Sequence, residues 1–161
     1  IISRGSSAAL LTARLAAGDP ARRYVDASAD REAAVREADV IVTATGSTEP
    51  LFEGAWIKLG AHVNAIGAYR HDMREVDAAL LHRADVFVDQ RDAALAEAGD
   101  LLIPHAAGEW SLDLVKGELS DLVLGQVSVD VTHVTLFKSC GLAVEDIAAA
   151  SAVVDALSAR G

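Results

Sequence analysis

A single cysteine in 161 residues excludes an internal disulfide framework and a thiolate metal centre, and fits the reducing cytoplasm. Aromatic residues are scarce at 4%, whereas hydrophobic residues reach 52%, so the core has to be built from Ala, Val, Leu and Ile. That suits parallel strands covered by helices better than an aromatic-rich sandwich. Cations are also few: 14 Lys and Arg against 24 Asp and Glu leave a formal net charge of −10. Without a basic cluster, nucleic acid is not an expected partner, and an anionic cofactor would depend on a few local cations. No apolar run is long enough to span a bilayer, and no membrane partner is expected. Internal repeats, low-complexity linkers and heptads are absent too.

Strand and helix patterns alternate along the chain. Residues 6–17 predict a helix stopped by Gly18, Asp19 and Pro20. A short strand is expected at 24–26, a helix at 30–37 and a fully buried strand at 40–44, closed by Gly46. Strands follow at 61–67 and 85–89, with helices at 75–83 and 91–97. This spacing predicts βαβ units and a doubly wound parallel sheet, an α/β fold. The pattern loosens over 99–131, where 111–116 and 119–124 predict short helices. A strand at 132–138 leads into a long helix at 141–159, whose Ala, Val and Ile positions cover most of its surface.

The ends of these strands carry the candidate chemistry. The β-branched run at Thr135-Leu136-Phe137 ends in a small Ser139-Cys140-Gly141 corner before the last helix. Such a strand-to-helix turn presents backbone N–H groups to a ligand. Thr43-Ala44-Thr45-Gly46-Ser47 likewise closes a strand with small residues that let a ligand approach the backbone. Ser3-Arg4-Gly5-Ser6 sits where a strand tail meets a helix; its Ser-Arg pair suits a ribose 2′-phosphate, although an Arg there is also an ordinary solvated helix start. No G-x-G-x-x-G or G-x-G-x-x-A occurs. His62 reads as structural, His71 as an exposed loop residue, and His105 and His133 have no metal-spaced partners. Lys138 suits either an anion contact or an edge strand. Cys140 lacks an adjacent His and reads as a packed residue.

Together these turns resemble the ornithine cyclodeaminase/mu-crystallin family of nicotinamide-dependent enzymes, over about residues 1–161 and only the back part of such a protein. The resemblance implies a Rossmann-like domain at 1–131 lacking its first β-α unit. At 132–161 it implies a strand and helix returning to an N-terminal substrate and dimerisation domain. Ile1-Ile2-Ser3-Arg4 accordingly reads as the tail of a strand, and the chain as a fragment that is inactive alone. The resemblance further implies that Ser3, Arg4 and Gly5 favour NADP(H) over NAD(H), that Thr45, Gly46, Ile66 and Ser139 line the cofactor, and that Glu97 lies near the substrate. Cyclodeaminating members carry an Asp where this chain has Tyr69. A phenol with a pKa of about 10 is a much weaker base at neutral pH than a carboxylate. The resemblance therefore points to reduction of a small cyclic imino acid, of the Δ1-pyrroline-2-carboxylate or Δ1-piperideine-2-carboxylate type, by a homodimer in amino-acid metabolism. The alternatives are an ornithine cyclodeaminase with a displaced acid–base residue and a crystallin-like NADP-binding protein without turnover. Asp72 is the candidate stand-in for the first, although Asp72-Met73-Arg74-Glu75 reads better as a helix cap.

Overall fold

Five short stretches of small and β-branched residues form the strands: β1 (Val40–Thr43), β2 (His62–Ala65), β3 (Ala84–Val88), β4 (Val115–Glu118) and β5 (Val134–Lys138). They make one sheet in the order β1-β2-β5-β3-β4, every neighbouring pair parallel. Parallel neighbours need crossover connections, and helices supply most of them. The computed structural model describes residues 7–19, 21–22 and 29–159. The strand expected at 24–26, and Ser3, Arg4 and Gly5, lie outside the described residues.

The helices are α1 (Ser7–Gly18), α2 (Arg31–Glu37), α3 (Ala78–Arg83), α4 (Arg91–Glu97), α5 (Gly99–Ala106), α6 (Leu119–Val123) and α7 (Ala143–Ser158). Asp30 starts α2 by accepting from the Ala33 N–H at 3.0 Å, and Asp77 starts α3 by accepting from that of Leu80 at 2.8 Å. Each supplies an acceptor for an N–H that the first helical turn leaves free. The core sits on the central strands, where Val63, Val86, Val88 and Leu136 meet Leu80 and Leu81 of α3 and Leu101 of α5. Strands buried on both faces are the reason this chain is rich in Val and Ala and manages with few aromatics.

Several expectations need correction. The strand at 40–44 is not fully buried: Val40 and Val42 are 59% and 60% exposed, because β1 ends the sheet among the described residues and alternate residues point away from the core. The helix expected at 75–83 begins at Ala78, and its cap is Asp77, not Asp72. The stretch at 111–116 holds a single 3₁₀ turn (Leu112–Leu114) and then the edge strand β4. α5 was not expected, because Pro104 inside it interrupts the sequence pattern. Of the segment 132–161, β5 is the middle strand of the sheet, while α7 has no buried residue and exposes Val144, Ile147, Val153, Val154 and Leu157. Among the described residues no helix is long and apolar enough to cross a membrane.

Candidate functional site

Every strand of a parallel sheet ends at the same edge, so the loops after β1, β2 and β5 converge. A cleft of about 380 Å³ opens there, lined by Ala44, Thr45 and Gly46 after β1 and by Ile66, Gly67, Tyr69 and Met73 after β2. Four expected residues, Thr45, Gly46, Ile66 and Tyr69, are thus brought to one place. Tyr69 is 53% exposed at the rim.

The floor of this cleft is held by a residue that the sequence reading placed at a helix start. Glu75 is fully buried. Its Oε1 accepts from the Thr45 backbone N–H at 2.6 Å and the Thr45 hydroxyl at 2.8 Å. Its Oε2 accepts from the Thr43 hydroxyl and the Gly67 N–H, each at 2.8 Å. One carboxylate therefore joins the ends of β1 and β2. Gly67 has to be glycine for this to happen, since a Cβ there would stand 2.2 Å from the Thr45 nitrogen and 2.4 Å from Glu75 Oε1.

Glu75 is itself anchored. Asp100 Oδ1 accepts from the N–H groups of Glu75 and Val76 at 2.6 and 3.0 Å. Asp100 Oδ2 lies 3.1 Å from Lys138 Nζ, both side chains fully buried. That approach is a charge contact rather than a directed hydrogen bond, because Oδ2 has no donor in bonding geometry. Lys138 Nζ donates to the Ala65 carbonyl at 3.2 Å. Lys138 is therefore neither an edge-strand lysine nor available to a phosphate; it is the counter-charge inside the sheet.

Ser139 belongs to a second clamp one strand over. Its N–H donates to the Ala65 carbonyl at 3.1 Å. Its hydroxyl donates to Asp89 Oδ2 at 2.9 Å, and the Cys140 and Gly141 N–H groups reach the same oxygen at 2.7 and 2.8 Å. Gly141 sits at φ +89°, a left-handed conformation that favours glycine and lets its N–H turn back to Asp89. Burial pushes the Cys140 thiol up to about 11, far from a thiolate at neutral pH. Asp89 also lines a second hollow of about 730 Å³ between α6 and the start of α7.

Other candidates fall elsewhere. Glu97 is exposed on α4 and lines neither hollow. Asp72 is exposed and pairs with Arg70, whose Nε donates to its Oδ1 at 2.9 Å. That guanidinium holds the Asp72 carboxyl below the usual carboxylate range, the wrong direction for a general base. His62 bridges Thr135 Oγ1 at 2.8 Å and Asn64 Oδ1 at 3.2 Å within the sheet. Among the described residues no three His, Cys, Asp or Glu side chains are grouped to hold a metal. Sequence reasoning missed Glu75 and Asp89. For Asp89 a signal existed, an Asp directly after the apolar run Val86-Phe87-Val88, where a free carboxylate would be costly without donors.

The cleft fits part of a dinucleotide. Small residues and backbone at carboxyl strand ends are where such folds seat their ligands. The lining offers an apolar wall (Ile66, Met73) and the Thr45 oxygen, but no Lys or Arg side chain. It suits a sugar or a carboxamide better than a diphosphate.

The sequence profile of the ornithine cyclodeaminase/mu-crystallin family matches residues 4–161. Among curated proteins, the ketimine reductase mu-crystallin of Mus musculus is 45% identical over 125 residues, 78% of this chain and 38% of that protein. Among solved structures, the Δ1-pyrroline-2-carboxylate reductase of Thermococcus litoralis in complex with NADH and L-proline superposes with a TM-score of 0.84 at 28% identity, covering 90% of this chain and 45% of that one. A probable ornithine cyclodeaminase from Bordetella pertussis gives a TM-score of 0.79 at 34% identity, covering 94% of this chain and 48% of the other. The chain thus spans less than half the length of these relatives.

Proposed function

We propose, because the chain belongs to the ornithine cyclodeaminase/mu-crystallin family and its cleft is lined by no carboxylate or imidazole, that it forms the cofactor-binding part of a reductase for small cyclic imino acids. The single observation that carries this reading is Tyr69 at the cleft rim, where a cyclodeaminase would need an ionised acid–base group. Ammonia loss and ring closure call for such a group, whereas hydride addition to a protonated C=N bond does not. When bound, a reduced nicotinamide supplies the hydride. The residues of this chain then have three tasks: Gly46 and Gly67 admit the ligand to the backbone, Ile66 and Met73 exclude water, and Thr45 orients a polar group. The substrate is of the Δ1-pyrroline-2-carboxylate or Δ1-piperideine-2-carboxylate type, and the working enzyme is a cytoplasmic homodimer. Arg4 makes NADPH the preferred cofactor over NADH, and Glu97 faces the substrate only in the complete protein. The 161 residues hold no G-x-G-x-x-G or G-x-G-x-x-A turn to seat the diphosphate, so this chain alone is inactive.

The test incubates the protein carrying this chain with NADPH or NADH and each cyclic imine, and separately with ornithine and NAD. Imine-dependent oxidation of NADPH is expected, with Tyr69→Phe lowering kcat only modestly. Ammonia release from ornithine at a comparable rate, with a 10²–10⁴-fold loss in Tyr69→Phe, would make the protein a cyclodeaminase. Tight cofactor binding with no turnover of either substrate would make it a crystallin-like binding protein.

A further inference from the structure

Glu75 touches no ligand space itself, yet it decides what Thr45 can offer there. A carboxylate has four lone-pair directions and no proton to give. At Glu75 all four are taken, two of them by backbone N–H groups, which have no alternative role. The Thr45 hydroxyl proton is consequently committed to Oε1. One Thr45 Oγ1 lone pair then accepts from the Ser47 N–H at 3.2 Å, and one remains. Thr45 is exposed and lines the cleft, so that last lone pair is the one its hydroxyl has left for a ligand.

We infer that Glu75 is a positioning residue that makes Thr45 an acceptor-only contact, so that the ligand group seated against it is a hydrogen-bond donor, either a sugar hydroxyl or a carboxamide N–H. A free Thr hydroxyl serves either role, and it is the buried carboxylate beneath that removes the choice. Phosphate oxygens are turned away from this point, since they meet a lone pair, a negative charge below it and no lining cation. The inference deepens the cofactor reading above and rests on it.

Binding is measured on the protein carrying this chain, by fluorescence titration with NADH, with its 3-acetylpyridine analogue (which lacks the carboxamide N–H donors) and with analogues lacking one ribose hydroxyl. On the unmodified protein one analogue is expected to bind roughly three- to tenfold more weakly than NADH, the range for one neutral hydrogen bond, and its identity names the donor. That penalty should persist in Thr45→Ser and vanish in Thr45→Val. Thr45→Ser keeps the hydroxyl, whereas Thr45→Val takes one donor from the buried Glu75, so the folding of both is checked by thermal melting. In Glu75→Gln, whose folding is checked by thermal melting, the hydroxyl is free to turn in the flip that puts the amide NH₂ at the Oε1 position, and the discrimination should shrink by the share of that flip. Equal binding of all analogues by the unmodified protein overturns the inference, as does a penalty that survives in Thr45→Val. If Glu75→Gln does not fold, the Ser and Val pair still decides. Failure of the unmodified protein to bind either NADH or NADPH overturns the cofactor reading instead.

Discussion

Two carboxylates stabilise the ligand-side edge of this sheet, and they differ in kind. Asp89 sits at the end of its own strand and gathers an adjacent turn: three donors from Ser139, Cys140 and Gly141 on Oδ2, and the Gln90 N–H on Oδ1 at 2.8 Å. It serves one neighbouring turn, local in space though 50 to 52 residues away in the chain, with no cation beneath it in the network just described. Glu75 instead reaches across two strands from a loop, carries a backbone N–H on each oxygen, and is backed by the buried Asp100 and Lys138. The local clamp can lose a bond to solvent without disturbing its neighbours. The relayed clamp couples the cleft floor to the middle of the sheet, so damage at Lys138 propagates to Thr45.

The largest expected effect follows from that coupling. Lys138→Met removes the counter-charge from a fully buried carboxylate, which typically costs about 3–5 kcal/mol, read as a fall in the urea midpoint at constant m-value. Adding Asp100→Asn should recover most of the loss, because the amide oxygen still accepts from the Glu75 and Val76 N–H groups and no unpaired charge remains at position 100. A double variant no more stable than the single one would show that the pair does not act as a relay.

An intermediate effect separates the two clamps directly. In Glu75→Gln the amide NH₂ faces a backbone N–H in either flip, at Thr45 or at Gly67. One partly buried donor is stranded, at roughly 1–3 kcal/mol. Asp89→Asn has a better choice. With its NH₂ at the Oδ1 position only the Gln90 N–H is lost, and Gln90 is exposed, so water replaces the acceptor and the loss is about 0.5–1.5 kcal/mol. Thermal melts of the two variants should therefore rank Glu75→Gln below Asp89→Asn. The reverse order would mean that the Ser139–Gly141 turn, not the β1–β2 junction, governs this edge.

The contrast also explains what was legible in the sequence. The alternation of apolar strands and helices disclosed the parallel sheet, and the small residues of Thr43-Ala44-Thr45-Gly46-Ser47 marked the end of β1 as a turn a ligand could approach, because both depend on local pattern, whereas Ile66 came only with the family resemblance. Glu75 was hidden: its donors come from Thr43, Thr45 and Gly67, 8 to 32 residues away, and beside Arg74 a Glu looks like a solvated helix start. Lys138 was hidden for the same reason, its burial depending on Asp100 in a helix that Pro104 masked. β4 is short, lies at the edge and contains Gly117, which weakens the alternation by which strands are recognised. Val40 and Val42 looked like core because an apolar run cannot reveal that its strand lies at the edge.

The smallest effect concerns Cys140, which sits inside the Asp89 turn without bonding through its sulfur in any contact described here. Burial is the main cause of its raised pKa, about 11 against an ordinary 9.0, and the nearby Asp89 charge adds to it. The thiol is therefore protonated through the neutral range, and iodoacetamide should react slowly at pH 8, with a rate that climbs about tenfold per pH unit and levels off only near pH 11. The sign for stability follows. The folded state holds this proton more tightly than the unfolded chain, so the contribution is fully present below about pH 9 and is lost as pH rises from there toward 11. Cys140→Ala should accordingly flatten a slight alkaline fall in the melting temperature while leaving the neutral-pH value nearly unchanged. Asp89→Asn, which removes one of the charges raising that pKa, should bring the onset of alkylation to lower pH. An onset unaffected by Asp89→Asn would show that burial alone sets the thiol, and that the local clamp acts on the turn through its hydrogen bonds and not through its charge.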